Sequence, residues 1–566
     1  MNRSASARHW LCLPAILLCS MLDLEATAQT GDFAAQELQR QQERERALRE
    51  QQERTPDVRL PPAAPEAIER LPQSETPCFT IHSITLKSDA PQFDWALAAA
   101  DPADDPASGR CLGSTGINLV MKRIQNAIVA RGFVTTRVLA EAQDLQTGIL
   151  SLTVIAGRIR AIRFSDDSDD RANAANALPA RPGDLLNLRD IEQALENFKR
   201  VPTAEADIKI VPGEQAGDSD LVVTWKQSFP LRLTLSADDG GLQSTGKYLG
   251  SITVAADNPL GLNDLFYASL NHNLDGRGEH GTRGYTAHYS LPWGYWLLGA
   301  TASANRYHQT VAGDRQNYDY SGTSDNYEIR LTRTLRRDAA SRTWASLRAY
   351  FTESSNFIDD TEIEVQHRRM AGWEAALGQR TFIAKSTLNV KLAYRHGTGA
   401  FAALPAPEEA FGEGTARPII VSAEAQLTAP FMLGEQRLRL TSDWRAQWNR
   451  TPLVPQDRFA IGGRYTVRGF DGESVLMAER GWLIRNDVGI ALGESGHEIY
   501  AAVDYGEVGG QSAALLIGTR LTGAVIGARG SYRGLYYDVF AGRPLNKPQG
   551  FETADVTAGF NLTLSF

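Results

Sequence analysis

The chain has four cysteines: Cys12 and Cys19 in an apolar N-terminal stretch, and Cys78 and Cys111 beyond it. In an oxidising compartment the last two tend to pair; the alternative is two separate buried thiols. Two cysteines alone offer too few ligands for a zinc site. Two glycine-rich stretches invite a phosphate-binding reading and fail it. In Gly241 to Gly246-Lys247, Tyr248 stands where a P-loop needs Ser or Thr, and a strand follows instead of a helix. Gly276, Gly278 and Gly281 spell GxGxxG, but in a loop between two strands. No nucleophile–base pair stands out, and the scattered histidines suit loops and walls better than a metal site. The residues point away from an enzyme, with no cofactor and no metal.

The elements that would carry these residues begin with a secretion signal over 1–28. Arg3 and Arg8 supply the positive region, Trp10 to Leu22 the apolar core and Ala26-Thr27-Ala28 the cleavage site. Residues 29–54 follow as a helix. Phe33 to Arg54 is rich in Gln, Glu, Arg and Ala, with Glu45–Arg49 and Glu50–Arg54 as i,i+4 pairs. The helix is polar nearly all round and about 33 Å long, a shape suited to a water-filled pore. Residues 55–75 form a proline-rich linker. Two similar strand–helix–helix–strand–strand units span 76–157 and 158–228. In the first, Phe79 to Leu86 is a strand, Phe93 to Ala100 a short helix and Ile117 to Ala130 a longer one.

From 229 to 566 helical periodicity gives way to alternation. Leu438, Leu440, Trp444, Ala446 and Trp448 share one face, against Arg437, Arg439, Asp443, Arg445 and Gln447. Phe560, Leu562, Leu564 and Phe566 alternate with Asn561, Thr563 and Ser565 in the same way. One apolar and one charged face suit lipid outside and water inside. Closing the sheet satisfies every backbone donor and acceptor in lipid. At roughly 20 residues per strand with its share of loop, the segment allows about 16 strands. Asn273 to Gly284 and His308 to Asp325 read as long loops. No apolar run beyond the leader is long enough for a spanning helix. The net charge of −9 argues against nucleic acid. On Glu498 to Gly506, Ile499, Ala501, Val503 and Tyr505 face lipid, which turns Asp504 into the lumen.

The order and spacing of several short motifs resemble the outer-membrane transporters of two-partner secretion, the TpsB family typified by FhaC and ShlB. They are Val467-Arg468-Gly469-Phe470, Asp257-Asn258-Pro259-Leu260-Gly261, Leu291-Pro292-Trp293-Gly294, Cys111-Leu112-Gly113 and Arg131-Gly132-Phe133. The resemblance covers nearly the whole chain. It implies two α/β POTRA domains followed by a transmembrane antiparallel β-barrel of about 16 strands, and makes the polar helix a plug. It implies that the VRGF loop, near 455–480, folds into the barrel and that Arg468 pairs with Asp504. Such a pair at a hydrated pore wall adds little stability. Phe566 falls at the place of the barrel assembly signal. The implied function is haemolysin-type secretion and activation: a large exoprotein (adhesin, haemolysin or contact-dependent toxin) with an N-terminal secretion domain is bound in the periplasm and exported unfolded. Further implied partners are outer-membrane lipids, lipopolysaccharide and the barrel assembly machinery, around a monomer. An assembly insertase of the same superfamily is the alternative.

Overall fold

The computed structural model describes residues 13–53, 56, 58–60, 70–275, 278 and 280–566, with side chains from Phe33 onward (that of Pro91 excepted). Arg3, Arg8, Trp10, Leu11 and Cys12 of the expected leader, Arg54, most of the proline-rich linker and Gly276 lie outside the described residues.

A helix runs over Leu13–Gln52 and includes the stretch expected to be helical from Gln29. In the first α/β unit, Ile149–Ile155 is the central strand. It pairs parallel with Ser83–Ser88 and antiparallel with Arg137–Ala140. The expected strand Phe79 to Leu86 is split. Phe79–Thr80 pairs with Cys111–Leu112, and after Ile81 the chain changes partner to Ile149–Ile155. The break buries Ile81 completely in the core beside Leu150 and Leu152. The short helix expected over Phe93 to Ala100 is a 3-10 helix, Pro91–Ala99. The longer one is Ser114–Ala130, whose Val120, Ile124 and Ile128 are buried. Its first N–H groups lack helical partners. The Glu75 carboxylate accepts from those of Gly113 (2.7 Å), Thr115 (2.9 Å) and Gly116 (3.0 Å). Cys78 and Cys111 are joined in a disulfide.

The second unit repeats the plan. Asp218–Gln227 lies between Arg158–Phe164 and Ala204–Pro212. The helix Leu188–Lys199 is N-capped by Asn187, whose side-chain oxygen accepts from the Arg189 N–H at 2.8 Å. Phe198 and Trp225 are buried between helix and sheet.

Sixteen long strands then close a barrel, with the two-residue strand Thr361–Glu362 extending one hairpin. The first strand, Leu231–Asp238, pairs antiparallel with the last, Thr557–Ser565. Strands reach 21 residues in Asn317–Arg337. That length overturns the expected loop over His308 to Asp325. Trp296–Ala312 and Asn317–Arg337 stay paired as far as Ala312↔Asn317, leaving only a tight turn. Likewise the next strand resumes at His280, which shortens the loop after Asn273. A hairpin whose two strands satisfy each other can carry polar side chains anywhere beyond the lipid, so composition mimics a loop there.

The second periplasmic unit is fastened to the short turns at one end of the barrel. Asn173 Nδ2 donates to Gly261 O (3.0 Å), Asn176 Nδ2 to Pro292 O (3.1 Å) and Asn197 Nδ2 to Gly294 O (2.8 Å). Arg337 bridges Glu192 (2.9 Å) and Glu196 (2.7 Å), and Arg342 adds a second contact to Glu196 at 2.8 Å. Glu192 also accepts from the Leu60 N–H at 2.8 Å, so the segment trailing the long helix is held at the same joint.

Two predictions concern the first unit. Opening Cys78–Cys111 as C78S/C111S should lower its stability by about 3 kcal/mol, since a loop of this size is freed in the unfolded chain. Denaturant unfolding of the full chain, followed by proteolysis within 79–155, reads this directly. The second concerns pH. The Leu71 N–H holds the Asp105 carboxyl below its usual value of 3.8; burial opposes this and Arg123 and Arg110 add to it. A depressed carboxylate stabilises the fold above its unfolded pKa and loses that contribution as pH falls through the folded value. The unit should therefore lose stability below about pH 4, and Asp105→Asn should flatten that dependence.

Candidate functional site: an occupied lumen and a folded-in loop

Alternation along the strands sorts the wall as the sequence predicts. On Gln436–Asn449, Trp444 and Trp448 are open on the outer face, while Arg445 points inward and meets Glu43 of the long helix at 2.7 Å. On Glu498–Gly509, Ile499 and Val503 face outward, and Tyr500, Ala502 and Asp504 are buried inside. The wall is ionic at several levels, as in Arg348–Glu374 (2.9 Å) and Lys391–Glu424 (3.5 Å).

The helix threads this lumen. Arg44 meets Asp238 (3.0 Å), Arg46 meets Glu424 (2.8 Å) and Arg49 meets Glu328 (2.6 Å). Near its end Gln52 accepts from Arg232 (3.1 Å), and Glu53 lies 2.9 Å from His288 Nε2. Of the expected i,i+4 pairs, Arg54 lies outside the described residues and Glu50 pairs with Arg46 instead (3.0 Å). Arg49 turns its short contact to the wall. Opposed wall charges compete for the helix charges, which a sequence pattern cannot register. At the end distant from the periplasmic units, Phe33 packs edge-on to Tyr307 (5.8 Å) and Tyr320 (6.2 Å).

The loop between Gln436–Asn449 and Arg480–Ala491 turns back into the barrel as the small hairpin Phe459–Ile461 with Leu476–Ala478. It carries the motif to the wall. Arg468 donates from Nε (2.7 Å) and Nη2 (2.8 Å) to Asp504, and its backbone N–H reaches the same carboxylate at 3.0 Å. Nη2 also donates to Asp487. Asp504 is 1% exposed and Arg468 is buried, so this is a dry pair and not the hydrated one expected. Removing one partner of such a pair strands a buried charge and costs about 3–5 kcal/mol. Val467 and Phe470 flank it in an apolar cluster with Ile461, Leu483 and Leu521, and Phe470 meets Phe551 edge-on at 5.8 Å. Phe566 lies exposed at the chain end, its carbonyl accepting from the Leu233 N–H (3.4 Å) and its own N–H donating back (2.9 Å).

Sequence reasoning missed three parts of this site. Asp487 was legible: Trp482, Val488 and Ile490 face outward, so period two turns Asp487 inward. It also binds Arg529 at 3.2 Å. Gly523 and Gly542 were not. A Cβ on Gly523 would stand 1.9 Å from the Arg468 carbonyl oxygen, and one on Gly542 would stand 2.9 Å from Gly469 Cα. The wall is bare of side chains where the loop tip presses on it. Gly469 itself has φ +91, a conformation that favours glycine. The third part joins loop to helix: Gln36 Nε2 donates to Gly472 O at 2.8 Å, and Arg40 donates to the same oxygen. Among the described residues no group of His, Cys, Asp or Glu could hold a metal ion.

Two periplasmic POTRA-type units, a closed sixteen-strand barrel and a loop locked inside it define an outer-membrane transporter class. The comparisons agree. Residues 217–530 match the model of the haemolysin secretion/activation protein family ShlB/FhaC/HecB, 79–157 an ShlB-type POTRA domain and 158–212 a further POTRA domain. The outer membrane transporter CdiB-2 of Burkholderia pseudomallei is 39% identical over 94% of each chain. The hemolysin transporter protein ShlB of Serratia marcescens is 25% identical over 75% of this chain and 73% of its own. The solved structure of CdiB from Acinetobacter baumannii superposes with a TM-score of 0.83 at 29% identity, covering 95% of this chain and 99% of that one. The chain belongs to the ShlB/FhaC/HecB family, and sits in the outer membrane with its POTRA domains in the periplasm.

Asp504→Arg should leave Arg468 without its principal partner and reduce export of the partner exoprotein by about tenfold or more. Pairing it with Arg468→Asp should restore part of the loss; export unaffected by the single substitution would show the contact to be idle. Gly523→Ala should reproduce the defect without changing any charge, read by immunoblot of the culture supernatant.

Proposed function

We propose that this chain recognises a large exoprotein in the periplasm through its POTRA domains and passes it unfolded through the barrel to the cell surface. The observation that carries this reading is how the lumen is filled. The helix shares no strand pairing with the wall. From Gln36 to Glu53 it is held largely by side-chain hydrogen bonds and ion pairs, each of which water can replace once the lumen opens. Such a helix is a removable plug over 29–54, and the wet, charged wall it uncovers suits an extended polar backbone.

Recognition fits the sheet edges. Arg137–Ala140 and Ala204–Pro212 are edge strands of their sheets. Gln125 already takes the Val138 N–H of the first at 2.9 Å, so Ala204–Pro212 is the edge better placed to accept an extended segment of partner. The periplasm supplies no ATP, and folding of the exoprotein outside supplies the direction. The cargo is of the adhesin, haemolysin or contact-dependent toxin kind, with an N-terminal secretion domain. Two POTRA units and a lumen-filling helix favour secretion over membrane-protein assembly.

Deleting 33–52 should raise single-channel conductance in planar bilayers several-fold. Unchanged conductance would sink the plug. In cells, deleting the whole chain should abolish surface appearance of the exoprotein while other barrels assemble normally; a general barrel defect would favour the insertase instead.

A further inference from the structure

The loop between the strands Ser386–Thr398 and Ile419–Leu433 lies at the barrel mouth. One limb is fixed inside it. Arg368 donates to Glu408 at 2.5 Å, and Ala406 and Ala416 pack with Met370 and Val454. The Leu404 N–H donates to Arg369 O at 2.9 Å. The other limb crosses the rim. Phe401 meets Phe351 edge-on at 6.1 Å, and Phe351 lies on the outer face of its strand, directly paired with Tyr327 and Ala371. Ala371 also faces outward, yet only 1% of it is exposed, so something covers the outside of the barrel there. Phe401 itself is 75% exposed. Both Phe401 and Ala402 have φ +54, a conformation that side chains other than glycine rarely adopt. Two consecutive residues in this conformation turn the chain at the rim, where the Phe401 ring meets Phe351 on the outer face.

The level of the ring along the wall is set by its neighbours. Toward the periplasm the outer face continues as Ala349 and Leu347. Two residues further out than Phe351 it turns ionic, with Glu353 and Arg369 paired at 2.5 Å. Phe401 thus sits where the apolar band ends and charge begins. An open aromatic ring at that level suits the boundary between acyl chains and headgroups. We propose that this loop is a membrane anchor: Phe401 inserts into the outer leaflet at its headgroup–acyl boundary, extending the lipid-facing row Tyr327–Phe351 beyond the strands. The occupant is lipid, because the ring is continuous with a surface that already faces lipid.

The test uses the full chain with Cys12→Ser and Cys19→Ser, in which Cys78 and Cys111 remain joined. Phe401→Cys is labelled with a polarity-sensitive nitrobenzoxadiazole fluorophore in phosphatidylcholine liposomes containing shallow doxyl-labelled lipid. Arg315→Cys, in the exposed turn of the hairpin that holds the longest strand, is the aqueous reference. The expected result is blue-shifted emission at 401 and at least twofold stronger quenching by the lipid than at 315, with weaker quenching by aqueous iodide. Equal emission and equal lipid quenching at the two positions would overturn the anchor. Retarded mobility on unheated gels confirms the barrel, and Ala402→Cys gives the same readout if Phe401→Cys does not assemble.

Discussion

Hydrocarbon offers no hydrogen bonds, and most of this architecture descends from that constraint. A strand in lipid must have both edges paired, so the sheet closes on itself and Leu231–Asp238 meets Thr557–Ser565. Closure forces every strand to show one face to lipid and one to an enclosed space. The apolar residues go out, and a polar lumen remains. A polar helix and a folded-in loop are stable there for the same reason that neither would be stable outside.

Within that wet interior the loop tip builds one dry place. Arg468 carries a guanidinium that stays charged, and three groups on it reach Asp504 while a second carboxylate, Asp487, accepts from the same Nη2. Glycines at 469, 523 and 542 let backbone approach backbone, and Val467 and Phe470 shut out water. A contact built this way is strong only while complete, because each charge depends on its partner for solvation. Its position beside Gly472, which the helix grips through Gln36 and Arg40, means that helix and loop share one anchor point.

The opposite end has its own shared point. Glu192 is fully buried and binds Arg189, Arg337 and the Leu60 N–H at once. POTRA helix, barrel turn and the segment behind the plug meet on one carboxylate. The second POTRA domain thus contacts the barrel and the segment behind the helix through the same side chain. The lumen-filling element contacts the folded-in loop near one end and, through the segment behind it, the second POTRA domain at the other.

Much of this was legible along the chain, because two periods and one closure rule carry it. Alternation at Trp444, Trp448, Ile499 and Val503 assigned the lipid face, and with it the inward direction of Asp504. Four cysteines, two of them early, left one plausible pair. The change of period near 229 separated periplasmic units from barrel. What failed were places where a partner far away in sequence overrides local composition. The hairpin Trp296–Ala312 with Asn317–Arg337 looked like a loop because its polar residues are paired only across strands. Phe79 to Leu86 looked continuous because its switch of partner is made by Arg110 and Gly148. The sequence by itself determined a barrel with a wet interior, two periplasmic domains and an arginine-bearing loop. Only the tertiary structure decided that this arginine is dry, that Asp487 shares it and that Gly523 makes room for it. Burial and close approach are properties of distances between strands, and no single strand contains them.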